Sequence, residues 1–137
     1  MLALLVFTVI TAYNGWKNNR SFTQKDKKLA LFSLIFSHVQ LLIGFVLYMV
    51  SPTVQVALSD MGASMKDRIL RFWAVEHILA MIIAILVITI GHALAKRAQN
   101  DQDKFKKIFW YFLAGLIIIF ITIPWPFTQM GAGRGWF

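Results

Sequence analysis

The chain has 137 residues, 58% of them hydrophobic and only 15% charged, with a mean hydropathy of +0.65. A soluble domain carries about a quarter charged residues, so the composition points to an integral membrane protein and excludes soluble-enzyme chemistry. With no cysteine, disulfides, thiolate-held metals, cysteine-held iron–sulfur clusters and c-type haem attachment are excluded as well, and any redox centre must use histidine, methionine or carboxylate.

The first apolar run, Met1 to Tyr13, is too short to cross a hydrocarbon core about 30 Å thick at about 1.5 Å per residue. It lacks the charge and cleavage site of a signal peptide, so it is expected to be the inner part of a first spanning helix whose outer turns lie outside this sequence. A basic segment follows, with Lys17, Arg20, Lys25, Lys27 and Lys28 against Asp26 alone. Leu29 to Val50 is the second run, long enough to span.

Ser51-Pro52 then reads as an N-cap with a first-turn proline, opening either a short helix on the membrane surface or an irregular loop. Ile69 to Ala95 is the third run, with Arg71 and Glu76 near its start. Lys96, Arg97, Lys104, Lys106 and Lys107, against Asp101 and Asp103, form a second basic segment before the fourth run, Ile108 to Ile123. Pro124-Trp125-Pro126-Phe127 should stop that helix, because proline lacks a donor and clashes with the preceding turn. With flanking turns, the spans are approximately 1–14, 29–50, 69–95 and 106–124 in one domain covering 1–137. The fold expected is an all-α integral membrane four-helix up-down bundle.

Ten of the fourteen cations fall in the two basic segments. The positive-inside rule makes these cytoplasmic, which puts both termini in the periplasm of a bacterial inner membrane protein. Topology and attraction to anionic lipid account for the net charge of +8, so nucleic-acid binding is not required. Trp16, Trp73, Trp110, Trp125 and Trp136 fall near or beyond span ends, as membrane-interface anchors do.

An ionisable group within a span is costly and marks a candidate site, and all three histidines qualify. His38 is expected near the midplane, His77 about 9 Å below the outer surface and His92 about 6 Å from the cytoplasmic boundary. His38 and His77 would then differ by about 6 Å in height, tolerable for two axial ligands of one haem iron though not level. His77 and His92 share a face, about 60° apart, but are too distant along the helix to share an iron. His92 reads as a snorkelling or cap-like residue. Packing roles are the alternative for His38 and His77.

Glu76 should pair with a cation or serve as a proton acceptor beside a haem or quinone. Arg71 is five positions away rather than three or four, which favours a pair across helices. Gln40 adds a further polar group within a span. Gly44, Ala80, Ala84, Gly91, Ala114 and Gly115 permit close helix approach.

The segments Ser37-His38-Val39-Gln40-Leu41-Leu42-Ile43-Gly44, Glu76-His77-Ile78 with Ile88-Thr89-Ile90-Gly91, and Ile123-Pro124-Trp125-Pro126-Phe127 resemble a family of small four-helix membrane proteins of Bacteroidetes-type bacteria, often labelled cytochrome b. The resemblance covers most of the chain and implies haem b. In that family a His-Ser-Gly-Leu-Arg-Trp segment precedes the first helix, and Met1 begins just after its place. Its histidine would be at about the depth of His77. His92 is not part of the pattern.

Two readings follow. The favoured one is an inner-membrane b-type-cytochrome-like protein, with His38 and His77 as candidate haem ligands and electron exchange with quinol. The alternative is a cofactor-free accessory or assembly subunit whose intramembrane polar groups, Glu76, Gln40 and Arg71 among them, lock it into a respiratory or other membrane complex. A transporter finds little support, because no internal repeat or broken helix is evident.

Overall fold

The computed structural model describes residues 1–129, which are helical without a strand. The predicted belt residue Trp136 lies outside the described residues. Helix α1 covers Leu2–Lys17, α2 covers Gln24–Val50, and α3 and α4 (Pro52–Ser59 and Met61–Ser64) form the connection that follows. Helix α5 (Arg68–Arg71) runs through a π-helical turn, Phe72–Glu76, into α6 (His77–Arg97), and α7 covers Asp101–Thr122. Three helical stretches, Gln24–Val50, Arg68–Arg97 and Asp101–Thr122, are long and apolar enough to cross a membrane, whereas α1 is shorter.

The boundaries follow local chemistry. Helix α1 ends in a Schellman arrangement: Asn19 adopts φ 49°, and the Arg20 and Asn19 amides donate back to the Gly15 and Trp16 carbonyls. Helix α2 begins on a knot of charge-assisted bonds, in which the Asp26 carboxylate accepts from the Thr23 amide at 2.9 Å and its hydroxyl at 2.7 Å. The same carboxylate takes both Arg20 guanidinium nitrogens, at 2.6 and 3.0 Å. The bond to Asp26 raises the Arg20 guanidinium pKa above its ordinary value, against a smaller opposing effect of burial. Pro52 occupies the first turn of α3, so the connection contains the short helix that was one of its two expected forms, although Ser51 supplies no side-chain cap.

Packing runs from α2 to α1 to α7 to α6, and α6 also meets α2. The buried stripes show why. In α1 they are Leu5, Thr8, Val9, Ala12 and Gly15; in α6, Ala84, Ile85, Ile88, Gly91 and Ala95; in α7, Phe105, Ile108, Phe112, Gly115 and Ile119. Apart from the adjacent pairs Thr8–Val9 and Ala84–Ile85, steps of three and four residues put each set on one face, the spacing that lets helices pack at a shallow angle.

Close approach is enforced at three glycines. A side chain at Gly91 would overlap Tyr111, one at Gly15 would meet the Phe105 ring, and one at Gly115 would meet Ile88. Gly44 differs from them: its surroundings are open, so close packing, expected from its size, is not realised there.

Helix α2 buries Asp26, Ala30, Ser33 and Ser37 in the same three-four rhythm, and then the rhythm loses its cover. Thr8 and Ser33 share a hydrogen bond at 2.6 Å and Ser33 reaches the Leu4 carbonyl at 3.3 Å, so α1 faces only the first half of α2. The continuation of the stripe, Gln40, Gly44 and Leu47, is exposed.

Candidate functional site

A polar site lies where α6 begins and α7 ends. Helix propagation past Thr122 would bring the amides of residues 124 and 126 to the carbonyls of Phe120 and Thr122, but both residues are proline and have no N–H. Ile123, held extended by the following proline at ψ 127°, ends the helix as expected. Side chains serve both carbonyls instead. The Trp125 indole donates to the Phe120 carbonyl at 3.2 Å, and His77 Nδ1, reaching across from α6, donates to the Thr122 carbonyl at 2.9 Å.

That bond defines the imidazole. A carbonyl oxygen only accepts, so Nδ1 carries the proton and, in the neutral ring, Nε2 keeps a lone pair. His77 is half-buried, with Phe72 at 5.6 Å and Trp73 at 5.7 Å between ring centroids. Donation from one ring nitrogen to a backbone carbonyl is the usual support for a histidine that binds metal through the other.

The π-helical turn immediately before His77 explains a contact that sequence spacing argued against. Arg71 and Glu76, five residues apart, are badly placed on an α-helix but become neighbours where the turn widens to an i,i+5 repeat. Arg71 Nε meets Glu76 Oε1 at 2.6 Å, so the pair forms within the helix and not across helices as expected. Arg71 also donates to the Met65 carbonyl at 3.1 Å. On the inner side of the same turn, the Tyr48 hydroxyl donates to the Ala74 carbonyl at 2.8 Å and joins α2 to the π-helical turn.

The Tyr48 bond also sets relative heights. His38 lies ten residues below Tyr48 on α2 and His77 three below Ala74, so His38 sits deeper in the bundle than His77. They also face differently. His77 turns toward α7, while His38 is exposed and donates from Nδ1 to the Leu34 carbonyl of its own helix at 2.9 Å. His38 and His77 are therefore not brought together.

Gln40 is exposed and makes no hydrogen bond among the described residues. His92 is half-buried at the basic end, close enough to Lys27 and Lys96 to feel both charges. No cluster of three or more histidine, aspartate or glutamate side chains suited to a metal ion occurs among the described residues. A small cavity bordered by Thr8, Asp26 and Phe105 lies at the basic end, away from His77.

Sequence reasoning missed the Arg20–Asp26–Thr23 knot, although Thr-x-x-Asp ahead of an apolar run is a readable helix-start signal. The Tyr48 and Thr122 partners left no such signal, because both depend on which helices become neighbours.

Comparison with known proteins adds no relative: no family model, no curated protein and no solved structure matches this chain.

Proposed function

We propose that this chain is a multi-pass protein of the bacterial inner membrane, a four-helix up-down bundle with both termini periplasmic, that carries haem b on His77 and passes electrons to or from quinol. The observation that supports it is the His77 geometry: Nδ1 anchored on Thr122, Nε2 left with its lone pair, and a π-helical turn directly before it. Such turns recur at functional sites because they re-aim side chains. Haem would supply one-electron chemistry. In this chain His77 would hold the haem iron, Phe72 and Trp73 would keep water from the imidazole ring, and Glu76, tied to Arg71, would be a nearby proton acceptor. His38 is not proposed as a second ligand to the same iron, because it is exposed and bonds back to its own helix.

The test is an absorption spectrum of detergent-purified protein from cells supplied with haem precursor, before and after dithionite. A Soret band with a sharpened α band on reduction is expected, and a featureless spectrum contradicts the reading.

A second reading, a cofactor-free accessory subunit, draws on a different observation. His38 and Gln40 are exposed within a span-length helix, and Gln40 and Gly44 continue a buried stripe that nothing covers. Polar side chains facing hydrocarbon favour a partner helix that can bond them. Stable co-purification with other membrane subunits, lost on Gln40→Leu, is the outcome it predicts; a monodisperse monomer contradicts it.

A further inference from the structure

At the basic end, the last turn of α1 and the first turns of α7 bring two lysines to one indole. Lys17 Nζ is 5.2 Å from the Trp16 ring centroid and 5.9 Å from that of Tyr13, while Lys106 Nζ is 6.0 Å from Trp16. The neighbouring cations are already matched, Arg20 with Asp26 at 2.6 Å and Lys104 with Asp101 at 3.1 Å. Lys17 and Lys106 pair with no carboxylate among the described residues. Two like charges held near one ring repel each other, and an anion beside them relieves that repulsion.

On the apolar side of these lysines stands a wall of aromatic rings. Tyr13 and Phe109 are 5.3 Å apart, Trp16 and Phe109 5.9 Å, and Phe109 and Trp110 5.2 Å, with Tyr13 and Trp110 exposed. A small soluble anion would use only the lysines. A ligand that uses both halves is amphipathic: a negative head beside the ammoniums and a hydrocarbon tail along the rings, at the level where tryptophan and tyrosine meet headgroups.

We propose that Lys17 and Lys106, flanking Trp16, form a binding site for one anionic glycerophospholipid at the α1–α7 seam. The site rests on the membrane reading above and is independent of haem. Its test is native mass spectrometry of the full chain titrated with phosphatidylglycerol or phosphatidylcholine of matched acyl chains.

Wild-type protein is expected to retain phosphatidylglycerol about tenfold better than phosphatidylcholine. Lys17→Gln/Lys106→Gln should lose that preference, and Lys17→Arg/Lys106→Arg should keep it. Lys25→Gln/Lys28→Gln, which removes the same charge from the same end, should also keep it. Equal loss in both glutamine pairs, or no preference in wild type, overturns the site. Release of the reconstituted chain from vesicles by alkaline carbonate overturns the membrane reading and the site with it; retention without headgroup preference overturns the site alone.

Discussion

A histidine that ends a neighbouring helix has two consequences, one for stability and one for chemistry. Where Pro126 has no amide to give Thr122, losing the imidazole leaves that carbonyl unserved. His77→Ala should therefore destabilise the fold by about 1 kcal/mol, the usual size of an interhelical hydrogen bond in a membrane protein. In a Pro124→Ala/Pro126→Ala background, where backbone amides can take over, the cost should shrink, and reversible unfolding in mixed micelles would measure the coupling. An unchanged cost in both backgrounds contradicts this account. Asp26 is a second residue of this kind, since it is 6% exposed and accepts four hydrogen bonds. Asp26→Asn should cost about 1–3 kcal/mol, because charge-assisted bonds are lost while the site stays buried.

At the scale of elements, the seam between α6 and α7 depends on the absence of side chains. Gly91→Ala drives a methyl into Tyr111 and should cost about 1–3 kcal/mol, whereas Gly44→Ala enters open space and should be neutral or slightly stabilising through helix propensity. Thermal unfolding of the two variants separates these outcomes, and equal shifts would contradict the packing described. The contrast also shows what sequence can disclose. Both glycines sit in apolar runs and read alike, because burial depends on the neighbour and not on the residue.

The helices themselves were legible from hydropathy, and the stop after Thr122 from two prolines. Their ends run into polar flanks, as at Gln24 and Asp101, where hydropathy has no signal but a first-turn carboxylate does. The π-helical turn was invisible, since Phe-Trp-Ala-Val-Glu is an ordinary helical sequence, and with it went the Arg71–Glu76 pair. His77 was legible as a candidate by its apolar setting. Its partner was not, because Thr122 lies 45 residues away and is reached only by backbone carbonyl.

For the whole molecule, charge asymmetry and helix packing make a common claim about topology. With three span-length helices and a short α1 packed alongside them, the segments around Lys27 and Asn100 should share one side of the membrane and Asp60 should lie on the other. The chain has no cysteine, so single replacements Lys27→Cys, Asn100→Cys and Asp60→Cys can each be labelled in intact cells with an impermeant maleimide. Only Asp60→Cys is expected to react; reaction of Lys27→Cys instead would reverse the orientation.

The central proposal is that His77 would bear the haem and that His38, exposed and bonded to its own helix, would not be its partner on the same iron. Reduced-minus-oxidised spectra of wild type, His77→Ala and His38→Ala, purified side by side from haem-supplied cells, test it most directly. The account predicts a b-type spectrum in wild type and His38→Ala and none in His77→Ala. A pigmented His77→Ala protein, equal loss in both variants, or a colourless wild type would contradict it.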